Sequence, residues 1–111
     1  MNINIPSQEE FIATYGKEDR TTVIMEELSE LIKAVSKYKR YVLNKEKYKN
    51  DKRYSGVPDS VILENLKEEI ADTLICIKIM QDITGITDSE IEEKVEEKHE
   101  RNLLLCRDVQ S

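Results

Sequence analysis

Between Leu63 and Ile83 the chain keeps apolar residues at three- and four-residue steps, the periodicity of a helix. At about 100° per residue, Leu63, Leu66, Ile70, Thr73, Leu74, Ile77 and Met80 share one face, which Cys76, Ile79 and Ile83 widen. Glu64, Lys67, Glu68, Lys78 and Asp82 fill the opposite face. Glu69 and Asp72 do not join them; they sit one turn apart among the apolar side chains. Folding drives that face inward, where an unpaired charge is expensive. The fold must therefore give this pair a cation, a basic partner, or a helix edge from which the carboxylates reach water.

Composition narrows what can surround this helix. With 111 residues, 36% of them charged, only 5% aromatic, three Gly and two Pro, the chain suits amphipathic helices in a single domain, 1–111. A net charge of −6 argues against partners that are nucleic-acid polymers or anionic membranes. No apolar run approaches the roughly 20 residues of a membrane span, and polar Asn2, Asn4 and Gln8 to Glu10 interrupt any signal-peptide pattern. Cys76 and Cys106 lie far apart on apolar stripes with no CxxC, which predicts two buried free thiols and a reducing cytoplasm.

In order, residues 1–6 read as a loose leader. Ser7-Gln8-Glu9-Glu10 has the form of a capping box opening a short helix through Phe11, Ile12 and Tyr15, and Gly16 is expected to close it as a left-handed cap. A second helix begins within Lys17–Thr22 and runs at least to Tyr41. Its apolar arc holds Val23, Ile24, Leu28, Leu31, Ile32, Ala34, Val35, Tyr38 and Val42, with Glu27 inside the arc and Glu26 and Glu30 on one edge. A basic, tyrosine-bearing segment spans 37–54, and 44–58 reads as a basic loop or helix extension. Ser55 to Ser60 break the chain, with Asp59 or Ser60 as the next N-cap. Gly85 caps the third helix, and Thr87-Asp88-Ser89-Glu90 is a second capping box opening a fourth, to about Arg107. Four one-sided helices with short links predict an all-α four-helix bundle. So short a chain does not cover all its apolar faces, so a homodimer or homotetramer is expected.

Two helices thus carry acids on apolar faces three residues apart: Glu27 with Glu30, and Glu69 with Asp72. Helices packed about 8 to 10 Å apart can aim both pairs into one space. Carboxylates so gathered need a cation. An all-oxygen ligand set favours Mg²⁺ first and Mn²⁺ second. Such a site, keeping waters and open positions, suits a substrate bearing phosphates.

Glu26-Glu27-Leu28-Ser29-Glu30 followed by Glu69-Ile70-Ala71-Asp72 resembles the EExxE…ExxD signature of MazG-like nucleotide pyrophosphohydrolases, and the resemblance extends from about Tyr15 to Leu104. It implies an all-α bundle of the MazG-like type that hydrolyses a nucleoside triphosphate between the α and β phosphates, giving the monophosphate and pyrophosphate. Carried over by position, Glu27, Glu30, Glu69 and Asp72 are metal ligands, and Glu26 is the additional acid, orienting or deprotonating the attacking water. Lys98 and Asn102 resemble phosphate-contacting positions. The link from Leu31 to Glu68 is longer than in most relatives. Its basic segment either closes over the site as a lid, bringing Lys37, Arg40 or a tyrosine to the nucleotide, or extends the helix into solvent.

Blander readings stand beside these. The acids could form ion pairs with neighbouring helices, and Lys33 and Lys37 could be their partners along the second helix. His99 completes a single Glu-x-x-His, whereas a di-iron bundle needs that motif on two helices. Two rival functions follow: a non-catalytic helical interaction module whose acids meet a basic partner, or a biosynthetic enzyme like phosphoribosyl-ATP pyrophosphatase with one strict substrate.

Overall fold

The computed structural model describes residues 3–54 and 56–110; the start of the expected leader, Ser55 in the expected break, and Ser111 lie outside them. Every regular element among these residues is helical: α1 (Glu9–Tyr15), α2 (Lys17–Tyr38) continued by a five-residue π-helical turn (Lys39–Leu43), α3 (Asp59–Thr84) and α4 (Asp88–Gln110).

The ends of these helices show where local chemistry yields to tertiary contact. The second capping box forms as expected: Thr87 Oγ1 accepts from the Glu90 N–H at 3.2 Å, and Glu90 Oε1 accepts from the Thr87 N–H at 3.1 Å. Gly85 ends α3 in the left-handed conformation (φ 77°, ψ 7°), its N–H donating to the Gln81 carbonyl. The first capping box does not form. Ser7 Oγ accepts from the Glu9 N–H at 3.4 Å, and the cap position falls to Gln8, which makes no side-chain cap bond and whose own N–H donates to Asp82 Oδ2 of α3 at 2.7 Å. Gly16 also departs from expectation. Its φ of 89° and ψ of 155° lie in a region essentially reserved for glycine, not in the left-handed helical well. It thereby serves as the last cap of α1 and the first of α2, folding the chain back within one residue. Pro58, not Asp59 or Ser60, caps α3; Asp59 is the first helical residue and its carboxylate pairs with Lys45 at 2.9 Å.

Helices α2 and α3 form the main contact and run antiparallel, with Ile24 beside Cys76 and Ile79. Ile12 of α1, Met80 and Ile83 close over that cluster. Tyr41 and Ile62 are buried toward the other end of the pair. The broad apolar face of α3 is split. Its flank (Ile62, Cys76, Ile79) is buried within the chain, whereas Leu63, Ile70 and Ile77, seven residues apart, are exposed. On α2, Met25, Leu28, Ile32 and Val35 are exposed at three- and four-residue steps.

Among the described residues, helix α4 lays no face against another helix and meets α3 at its start, where Gln81 Nε2 donates to Asp88 Oδ1 at 2.7 Å. Cys106 is consequently exposed, not buried as its position on an apolar stripe predicts, while Cys76 is buried as expected. The radius of gyration is 18.0 Å, against about 13 Å for a compact domain of this length. No described helix is long and apolar enough to cross a membrane.

Candidate metal centre

Where α2 crosses α3, Glu27, Glu69 and Asp72 converge. Each offers a carboxylate oxygen, and these oxygens lie within 4.8 Å of one another. The helical spacing explains the meeting: Glu27 follows Ile24 by one turn on the face of α2 that packs against α3, and Asp72 precedes Cys76 by one turn on α3. Glu27 and Glu69 are half-buried and Asp72 is exposed. Among the described residues no ion pair involves any of the three. Glu69 Oε2 is buried with no hydrogen-bond partner. Burial, then the charges of Asp72 and Glu69, push the Glu27 carboxyl above its ordinary pKa. Burial and the same acidic field, from Glu27 and Asp72, push the Cys76 thiol up. Three acids aimed at one another, one with an orphaned oxygen, fit a hard divalent cation by donor type, charge and spacing.

Glu30 stands near enough for its charge to add to the field on Glu27, but it is not one of the converging three. Its Oε1 accepts from Lys33 Nζ at 3.1 Å on the exposed side of α2, as the ordinary side-chain-pair reading of Lys33 anticipates. Glu26 is exposed one position before Glu27. Lys37 is half-buried and holds its ammonium 5.5 Å from the centre of the Tyr54 ring, within the tyrosine segment. Lys98 and Asn102 are exposed on α4, which among the described residues lies against neither α2 nor α3 at the acids.

A cleft of about 250 Å³ opens directly beside the acids, with Glu27 and Asp72 on one side and Phe11, Val23, Ile75 and Arg20 around the rest. Arg20 reaches it from the first turn of α2, its guanidinium bonded to Asp19 at 2.6 Å and lying 4.4 Å from the Tyr15 ring centre. Sequence periodicity does not single out Phe11 or Arg20. They come to the acids only because Gly16 reverses the chain and Asp82 holds Gln8 against the end of α3.

A family model described as phosphoribosyl-ATP pyrophosphohydrolase matches residues 1–99. The chain belongs to that family. The family is part of the all-α MazG-like superfamily, so the protein is a pyrophosphohydrolase of that general type, and the EExxE…ExxD resemblance falls within the matched span. No curated protein and no solved structure matches the chain.

Proposed function

We propose that the protein is a Mg²⁺-dependent nucleoside triphosphate pyrophosphohydrolase, cleaving between the α and β phosphates to release the monophosphate and pyrophosphate. One observation carries the reading: three carboxylate oxygens within 4.8 Å at the lip of a cleft. Glu27, Glu69 and Asp72 would hold the ion, with Glu30 as a further ligand once its side chain leaves Lys33. Mn²⁺ would serve in place of Mg²⁺. The ion supplies charge neutralisation at the phosphates and a lowered pKa for an attacking water. Glu26, beside the cluster, orients or accepts the proton of that water. Phe11, Val23 and Ile75 give the cleft an apolar wall suited to a base, and the Arg20 guanidinium suits phosphate oxygens.

The active unit in this reading is a homodimer or homotetramer. An accessible surface of 8839 Å² exceeds by roughly 2500 Å² what a compact chain of this mass exposes, an excess on the scale of an obligate interface. The bare stripes of α2 and α3 and the detached α4 are its natural contributors. Lys98 and Asn102 would then contact phosphate across the subunit boundary, while Lys37 would act from the edge of the tyrosine segment. Two free thiols and an intracellular nucleotide substrate favour the cytoplasm in this reading.

The family match favours a narrower second reading, in which the triphosphate hydrolysed is phosphoribosyl-ATP. Pyrophosphate release from a panel of ribo-, deoxy- and modified triphosphates and phosphoribosyl-ATP, with Mg²⁺ or EDTA, tests both. Turnover of phosphoribosyl-ATP alone selects the narrow reading. No turnover of any triphosphate, with Mg²⁺ leaving the melting temperature unchanged, overturns the enzyme in favour of an interaction module.

A further inference from the structure

A second cleft, of about 410 Å³, lies at the end of the α2–α3 pair where the chain crosses between the helices. Tyr41, Tyr48 and Tyr54 line it together with Lys45, Lys49 and Asp59. Asp59 begins α3 ten residues before Glu69, so the cleft is displaced about 15 Å along that helix from the acidic cluster.

This cleft has an ordered frame. Tyr41 is buried, stacked on Tyr54 at 4.5 Å and edge-on to Tyr48 at 6.0 Å. Its hydroxyl donates to Asp51 Oδ2 at 2.7 Å and accepts from Arg40 Nη1 at 3.1 Å. Arg53 fastens the same aspartate through a side-chain pair at 3.0 Å and its own N–H at 3.1 Å. Asp51 is thereby held well below the ordinary carboxylate range, chiefly by Arg53, and stays ionised at the centre of the knot. Arg40 is committed to Tyr41 and the Ser36 carbonyl, so it does not reach toward the acids as a lid would require.

Residues 37–54 contain eight Lys or Arg and two acids, in a chain whose net charge is −6. At the cleft, Lys45 is shared with Asp59 and Lys49 with the exposed Glu46. Both ammoniums are more than half exposed, and Lys49 can turn from Glu46 to a ligand at little cost. Tyr41 and Tyr54 stack on each other and carry Arg40 and Lys37 over their rings, so the face that suits a planar heterocycle is that of Tyr48, opposite its own Lys47 contact, and the two ammoniums suit a dianion. The volume falls in the roughly 300 to 1,000 Å³ range of small-molecule sites. We propose that the cleft formed by Tyr41, Tyr48, Tyr54, Lys45 and Lys49 is a second binding site, for a nucleoside 5′-monophosphate, with the base against tyrosine and the phosphate on the lysines. It is independent of the acidic cluster and needs no metal.

Isothermal titration of the full chain in EDTA with AMP, UMP, adenosine and inorganic phosphate tests this. Saturable binding of a monophosphate is expected, at least tenfold tighter than adenosine or phosphate alone. Lys49→Glu and Tyr48→Ala should each weaken it at least tenfold, with circular dichroism unchanged for the surface Lys49→Glu variant. Glu69→Gln should leave it unaltered. No saturable binding, equal affinity for adenosine, insensitivity to Lys49→Glu, or loss of binding in Glu69→Gln overturns the proposal. So does Tyr48-dependent binding of single-stranded RNA without binding of the monophosphate.

Discussion

Glu69 decides between an ion pair and a metal site, because the two make opposite predictions for one substitution. A salt-bridged carboxylate stabilises the chain, so replacing it lowers the melting temperature. Glu69 instead adds to the field on Glu27 and leaves one buried oxygen without a partner. Glu69→Gln should therefore stabilise the metal-free protein by about 1 kcal/mol, removing one repelling charge, and raise its melting temperature by a few degrees. The same variant should lose the melting shift that Mg²⁺ gives the wild type. Its turnover should fall about 100-fold, equivalent to 2.7 kcal/mol of barrier. The neighbouring Glu27 gives a pH signature. Its folded pKa is raised above the ordinary 4.5, so the folded state binds the proton more tightly than the unfolded one. In EDTA, stability should decline as pH climbs from about 4.5 through the raised value. Melting curves should show that decline, Mg²⁺ should cancel it at neutral pH, and Glu27→Gln should lack it.

Among the elements, α1 depends most on contacts from outside itself. It has seven residues, no side-chain cap and no buried side chain, too little to persist alone. Asp82 secures it: Oδ2 accepts the Gln8 N–H while Oδ1 pairs with Lys78 at 3.1 Å. The Gln8 N–H, then Lys78, lower the Asp82 carboxyl below its ordinary value. This stabilisation is complete above that ordinary value and is lost as pH falls through the lowered one. Asp82→Asn should cost about 1.5 kcal/mol, the worth of a charged hydrogen bond, and raise KM more than it lowers kcat, since Phe11 loosens while the acids stay. Amide exchange at α1 together with steady-state kinetics would check it. Gly16→Ala tests the hinge between α1 and α2. Nothing lies within 4 Å of an added Cβ, so the expected loss, about 1 to 3 kcal/mol, comes from the backbone alone, and thermal unfolding would read it.

At the scale of the molecule, the chain is open. Its 18.0 Å radius of gyration, the bare heptad stripes and the detached α4 leave apolar surface that water disfavours. Sedimentation should give a dimer or tetramer at micromolar concentration. Ile32→Glu, at a position 70% exposed within the chain, should dissociate it without loss of helix by circular dichroism. A monomeric wild type would remove α4 from the site, and with it the phosphate role of Lys98 and Asn102.

Periodicity and composition alone determined the all-α class, the helices and the acids set into their apolar faces, because helical spacing is local and a misplaced charge is visible in a window of a dozen residues. The Thr87–Glu90 box and the Gly85 cap were legible for the same reason. Sequence did not decide which flank of a broad apolar face would be buried, so Leu63, Ile70 and Ile77 are bare while Ile62, Cys76 and Ile79 are covered. Nor could it turn Glu30 toward Lys33, start α1 at Glu9, or bring Phe11 and Arg20 beside Glu27. Those outcomes depend on contacts between residues far apart in the chain. Only the packing of α1, α2 and α3 settles which side chains those contacts claim.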